Sequence, residues 1–181
     1  GVVAEGLGRP GGRAHARAMH NIACTPDGKF IITSGEDARV IVLDAASASH
    51  IETLIGHSGR IIGQAISRDG QTLYTSSLDG VIFSWDLGNR HRFGRPFDVS
   101  SIGPLQLGGF GSPALAVSPD SARFAARVAP GKVGIFSVRT LRAEEAFPVG
   151  QTGAAVVALA WSSKDPLAVA TGTCGTGWGV G

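Results

Sequence analysis

The chain has 181 residues, 43% of them hydrophobic and 17% charged, with a formal net charge of +2. These proportions exclude a disordered tail and describe a globular chain long enough to bury a real core. So small a charge gives no bulk electrostatic case for nucleic acid or an acidic membrane surface.

No apolar run approaches the ~18 residues of a membrane-spanning helix, and no basic-then-apolar leader opens the sequence. The two cysteines, Cys24 and Cys174, form no pair-spaced motif. They therefore make neither a disulfide framework nor a four-ligand zinc site, and no cofactor or metal is expected. Cys24 reads as a small buried hydrophobe within a strand, Cys174 as a loop thiol, and the expected compartment is the reducing cytoplasm.

In chain order, residues 1–14 are rich in Gly and Arg and read as a loop or the remnant of a preceding unit. A first unit, 15–55, follows. It has an inner strand near Asn21–Cys24, a turn at Thr25-Pro26-Asp27-Gly28, a strand over Phe30–Ser34, a turn at Gly35–Ala38, a strand over Val40–Leu43 and an outer strand over His50–Ile55. The second unit, 56–99, carries two Asp-Gly turns, Asp69-Gly70 and Asp79-Gly80, between β-branched and aromatic runs. That is the signature of hairpins joining short antiparallel strands. Its outer strand is expected near Arg92–Val99.

An inserted connection opens the third unit, 100–149, with strands expected near Ala114–Val117, Arg123–Arg127, Lys132–Val138 and Glu145–Val149. The last unit, 150–181, starts with Val156–Ser162 and Leu167–Thr171, then runs into a glycine-rich end that holds a strand poorly. Nowhere does a 3.6-residue apolar stripe with caps appear, so helix is expected to be nearly absent.

Shifted by 42 residues, the second unit falls on the first: His57 on His15, Ala65 on Ala23, Asp69-Gly70 on Asp27-Gly28, Thr75-Ser76 on Thr33-Ser34, Asp79 on Asp37 and Asp86 on Asp44. Ordinary composition gives roughly two matches by chance over such a window. Trp85 meets Phe136 at 51 positions, so the third copy is longer. A period of ~40–45 residues with four strands per unit is that of propeller blades.

The second unit opens with Gly56-His57 and closes with Trp85-Asp86, and in this it resembles the WD-repeat β-propeller family. The resemblance implies an all-β open arc of about three to four blades of four antiparallel strands, a fragment of a larger ring. It further implies a non-catalytic scaffold that binds other proteins or peptides. The run from Asp69 through Leu87, followed by Arg92–Phe97, is also similar to propeller segments of bacterial multidomain regulators, whose DNA-binding domains lie elsewhere in the chain. In that case this segment acts as a sensor.

In the family a His, a Ser or Thr, an Asp and a Trp form a hydrogen-bonded set. By residue match the second unit supplies His57, Thr75, Asp79 and Trp85. The first supplies His15, Thr33 and Asp37 but has Leu43 in place of Trp, while the third has Pro130 at the Asp position. Imidazole, hydroxyl, carboxylate and indole complement one another as donors and acceptors, each bond contributing ~0.5–1.5 kcal/mol.

A hydrolytic triad is the competing reading of these residue types. One copy per repeat, with no nucleophile elbow or oxyanion hole, favours structure over catalysis, and a propeller enzyme with a central-channel site is disfavoured. The loop before the inner strand and the second turn lie at the same end by strand alternation. Arg17, Ala18, Glu36, Ser58, Arg60, Leu78 and Ala129 therefore share one rim, which the resemblance to the WD-repeat family implies is the candidate partner-binding face, with Arg60 and Leu78 its anchors. The cluster Arg90–Arg95, with Phe93 and Phe97, is weighed as a single-stranded nucleic-acid surface and read instead as a solvated loop and charged edge. Exposed blade faces at either end of an open arc are expected to meet missing blades or to self-associate.

Overall fold

The structure is a computed structural model that describes residues 15–88, 94–102, 115–149, 155–162 and 167–172. Every regular element in these segments is a β-strand. Strands β1 (Met19–Cys24), β2 (Phe30–Gly35), β3 (Arg39–Asp44) and β4 (His50–Ile55) form one antiparallel meander. A second comprises β5 (Ile61–Ile66), β6 (Thr72–Ser77), β7 (Ile82–Asp86) and β8 (Gly94–Pro96). A third comprises β9 (Leu115–Val117), β10 (Arg123–Ala129), β11 (Lys132–Ser137) and β12 (Arg142–Pro148), and β13 (Ala155–Trp161) pairs with β14 (Leu167–Gly172).

Short loops impose this order. The turns between first and second strands are closed by a side-chain lock that recurs three times. Thr25 Oγ1 donates to Asp27 Oδ1 at 2.7 Å, Ser67 Oγ to Asp69 Oδ1 at 2.5 Å, and Ser118 Oγ to Asp120 Oδ1 at 2.5 Å. Each aspartate also accepts the backbone N–H two residues on, an Asx-turn that commits the chain to reverse. The next residue takes positive φ, at 71° in Gly28, 73° in Gly70 and 57° in Ser121.

Alternation along each strand sends neighbouring side chains into different cores. On β6, Leu73 packs with Ile32, Val40, Val42 and Leu54 of the first sheet, while Tyr74 packs with Phe124, Phe136 and Ala126 of the third. On β10, Phe124 faces the second sheet, and Ala125 joins Val133, Ile135 and Val156 toward β13. Both faces of β6 are covered, so its polar residues Thr75, Ser76 and Ser77 are buried along with Leu73 and Tyr74. The inner strands follow one another in space, β1 beside β5, β5 beside β9 and β9 beside β13. Among the described residues β13 does not pack back on β1 to a similar extent, so the sheets form an open propeller arc.

Several boundaries differ from the sequence expectation. Strand β8 is only three residues long, shorter than Arg92–Val99. Pro96 has no N–H to give the ladder, and residues 92 and 93 lie outside the described segments. Strand β12 begins at Arg142, three residues before Glu145, because the register shifts between Ile135 and Phe136. The resulting bulge leaves Glu144 and Glu145 both exposed and breaks the period-2 pattern. Cys24 is exposed rather than buried: β1 is an inner edge strand with its outward positions uncovered. Cys174 lies outside the described residues. No helix among those residues is long and apolar enough to cross a membrane.

Candidate functional site

The loop before β5, strand β6, the β6–β7 turn and strand β7 converge on one buried relay. His57 Nδ1 lies 2.9 Å from Asp79 Oδ2, and His57 Nε2 lies 2.8 Å from Thr75 Oγ1. The Trp85 indole N–H donates to Thr75 Oγ1 at 2.8 Å. These partners assign the tautomer. An ionised Asp79 can only accept, so Nδ1–H donates to it; Nε2 of the neutral ring then accepts the Thr75 hydroxyl proton, while Thr75 Oγ1 accepts from Trp85. The carboxylate also accepts from Ser58 N at 2.8 Å and Val81 N at 2.9 Å.

Electrostatics agree with a neutral ring against an ionised carboxylate. Burial pushes the His57 imidazole below its ordinary value, and hydrogen bonding to Asp79 only partly opposes this. For Asp79, burial acts to raise the carboxyl, but the N–H groups of Ser58 and Val81 and the His57 ring outweigh it and hold it below the usual range. Phe83 stands edge-on to the imidazole, ring centroids 4.7 Å apart. The indole is held between two backbones that approach closely: a Cβ at Gly56 would lie 2.9 Å from Trp85 Cη2, and one at Gly94 2.8 Å from Cζ3.

The first sheet holds the same arrangement without the indole. His15 Nδ1 is 2.9 Å from Asp37 Oδ1, its Nε2 is 2.9 Å from Thr33 Oγ1, and Ala16 N donates to Asp37 Oδ2 at 3.0 Å. Leu43, fully buried, occupies the place of Trp85. In the third sheet Ala126 and Pro130 stand where Thr75 and Asp79 do, and the relay has no counterpart there among the described residues. The His57 side chain and Thr75 are fully buried and spend their polar atoms on one another, so the relay presents no nucleophile to solvent. What it can do is clamp the loop before an inner strand to the following turn.

Those clamped loops shape the surface above. Of the seven expected rim residues, Arg17, Glu36, Ser58 and Arg60 line one concavity of about 650 Å³ between the first two sheets. Ala18 and Leu78 do not line it but adjoin it through the backbone. Ala18 O accepts from Glu36 N, and Leu78 N donates to Arg60 O, both at 2.9 Å. Leu78 is 46% exposed. Ala129 ends β10 in the third sheet and is not part of this concavity. Glu36 Oε1 bridges the sheets, 3.1 Å from His20 Nε2 and 3.6 Å from an Arg60 guanidinium nitrogen.

Sequence reasoning missed Arg39, which lines the concavity beside Asp37; the only available signal was its place directly after the second turn. A polar tie between sheets was also missed. Asn21 Nδ2 donates to Ser34 Oγ at 3.2 Å, Ser34 Oγ to Gln64 Oε1 at 2.7 Å, and Gln64 Nε2 to Ile32 O at 3.0 Å. Of the basic cluster, Arg90 through Phe93 lie outside the described residues. Phe97 is buried against Tyr74, Phe124 and Phe136, which leaves it no face for a base. Among the described residues no group of His, Cys, Asp and Glu is placed to hold a metal ion.

Comparison with known proteins gives a consistent pattern. The family model described as WD domain, G-beta repeat matches residues 11–44 and 48–86. The chain is 36% identical over 76 residues to the COMPASS component SWD3 of Saccharomyces cerevisiae, covering 42% of this chain and 24% of that protein. It is 35% identical over 86 residues to a periodic tryptophan protein 2 homolog of Schizosaccharomyces pombe, covering 46% and 10%. With the U3 snoRNP-associated protein-like EMB2271 of Arabidopsis thaliana it shares 28% over 96 residues, covering 50% and 20%. The chain thus spans a quarter or less of these curated relatives. Among solved structures, that of U3-55K superposes with a TM-score of 0.67 at 21% identity, over 82% of this chain and 44% of that one.

Proposed function

We propose that this chain, in which two matched WD repeats fold as neighbouring blades of a propeller arc, is a non-catalytic scaffold for binding other proteins. The observation that carries this reading is the rim concavity, whose walls come from loops of two successive sheets. Each loop is held by a buried His–Asp–Thr clamp. A surface fixed this way presents side chains with little ordering cost on binding. Relatives named a COMPASS component and a U3 snoRNP-associated protein-like protein support protein partners. We take residues 15–55, 56–99, 100–149 and 150–181 as its blade units, and the cytoplasm as its location.

The test is site-specific photo-crosslinking in the host cell. A photoreactive residue at Ser58 should capture a partner that one at Ala46, on the far end of the first sheet, does not. The double variant R60A/L78A should weaken that capture. Equal capture from both ends, or capture indifferent to the double variant, overturns the proposal. A finer reading, in which the segment senses a partner for a transcriptional regulator, is favoured by the relative named transcription factor unc-37 of Caenorhabditis elegans, 28% identical over 75 residues. RNA is the other class to test, by binding across a salt series. A salt-sensitive affinity there would replace the protein-only reading.

A further inference from the structure

We infer that the rim concavity takes an acidic peptide segment, its carboxylates meeting Arg17 and Arg39 and a neighbouring apolar side chain resting on Leu78. This rests on the reading of the rim as the docking face and specifies its ligand.

The charges in the concavity are unevenly spent. Three guanidiniums line it, from Arg17, Arg39 and Arg60, against two carboxylates. Asp37 is turned inward and saturated by His15, by Ala16 N and by Arg39 N at 3.3 Å. Glu36 is shared between His20 and Arg60. Arg17 and Arg39 are left exposed, and neither meets a carboxylate among the described residues. Two unpaired, delocalised, weakly hydrated cations facing one concave space select an anion, and each planar fork can donate two N–H groups to one carboxylate.

A peptide, rather than a small anion, matches the size and the surroundings. The space is about 650 Å³ and opens at the rim. Its Arg60 wall runs by a backbone hydrogen bond into Leu78, an exposed apolar residue on the adjacent turn. Charge with an adjoining apolar contact is the pattern of a short linear motif. Glu36, already between two cations, acts as a fixed spacer that repels a carboxylate placed centrally and directs it toward Arg17 and Arg39.

Fluorescence anisotropy with the full 181-residue chain tests this, using a labelled peptide of alternating glutamates around one leucine. Versions with lysine or serine replacing each glutamate serve as controls. The glutamate peptide should bind, and R17A and R39A should each weaken it about tenfold. Salt should weaken it too. L78S should also weaken it, whereas K29A, at the opposite end of the first sheet, should not. Failure of the glutamate peptide to bind, or indifference to both arginine variants, overturns the inference. If the serine or lysine peptide binds instead and L78S abolishes it, the ligand class is wrong but the docking face stands. If no peptide binds and crosslinking from Ser58 also fails, the docking reading itself falls.

Discussion

Replacing Asp79 with Ala removes one side chain but disturbs three donors. The His57 Nδ1–H, at 2.9 Å, is the costly one: its side chain is fully buried, so no water replaces the carboxylate. An unsatisfied buried donor costs about 1–3 kcal/mol. Ser58 N and Val81 N lose their acceptors as well, but Ser58 is exposed and recovers most of its bond from water. We therefore expect D79A to lose about 2–4 kcal/mol. D79N should lose less, on the order of 1–2 kcal/mol, because its amide oxygen still serves the turn. The amide's N–H₂ would force the imidazole to the other tautomer and leave the Thr75 hydroxyl without an acceptor. The assay is urea unfolding followed by fluorescence, with the midpoint shifting at constant slope. P130D is the internal control, since the third sheet has Ala126 where a hydroxyl would be required. A D79A loss below about 0.5 kcal/mol would refute the claim that the relay holds the blade.

Three further predictions follow from the same geometry. His57 is held below its ordinary value of 6.5, so the unfolded chain binds the proton more readily; stability should be full above about pH 6.5 and decline as pH falls below it, with H57N flattening that slope. Ala38 has φ of 61° where the second sheet's turn has Gly80 at 80°, so A38G should raise the unfolding free energy by about 0.5–1 kcal/mol, read as a higher urea midpoint, and S121G should gain less because Ser121 Oγ also accepts from Arg68 N at 3.3 Å. The Tyr74 hydroxyl is buried with no partner in good hydrogen-bonding geometry, Thr72 approaching it only weakly, and burial pushes it up to about 12; Y74F should therefore be neutral or slightly stabilising, and a loss above about 1 kcal/mol would show that the contact with Thr72 is a full hydrogen bond.

The relay was legible because it repeats. His57 and Asp79 lie 22 residues apart and so do His15 and Asp37, and two copies of one spacing separate a motif from composition. The turn locks could be read the same way, from Thr25, Ser67 and Ser118 two positions before their aspartates. The bulge at Glu144 could not, because one extra residue on β12 hides the alternation that marks a strand. The exposure of Cys24 was hidden too, since a period of two says which side chains share a face but not whether anything covers that face.

Local chemistry was therefore decided by the sequence alone: short strands, Asp-Gly reversals, a four-strand period and the donors and acceptors within each unit. These interactions span a few dozen residues and depend on order along the chain. Contacts between units obey no such spacing. Gln64 meets Ser34 and Asn21 meets Ile61 across 30 and 40 residues, Tyr74 stacks on Phe124, and Arg17, Arg39 and Arg60 share one concavity only because the first sheet packs on the second at one particular angle. That angle is set by the fit of Ile32, Val42 and Leu54 against Leu73 and Trp85, and close packing of that kind is a property of three dimensions that no single stretch of residues encodes.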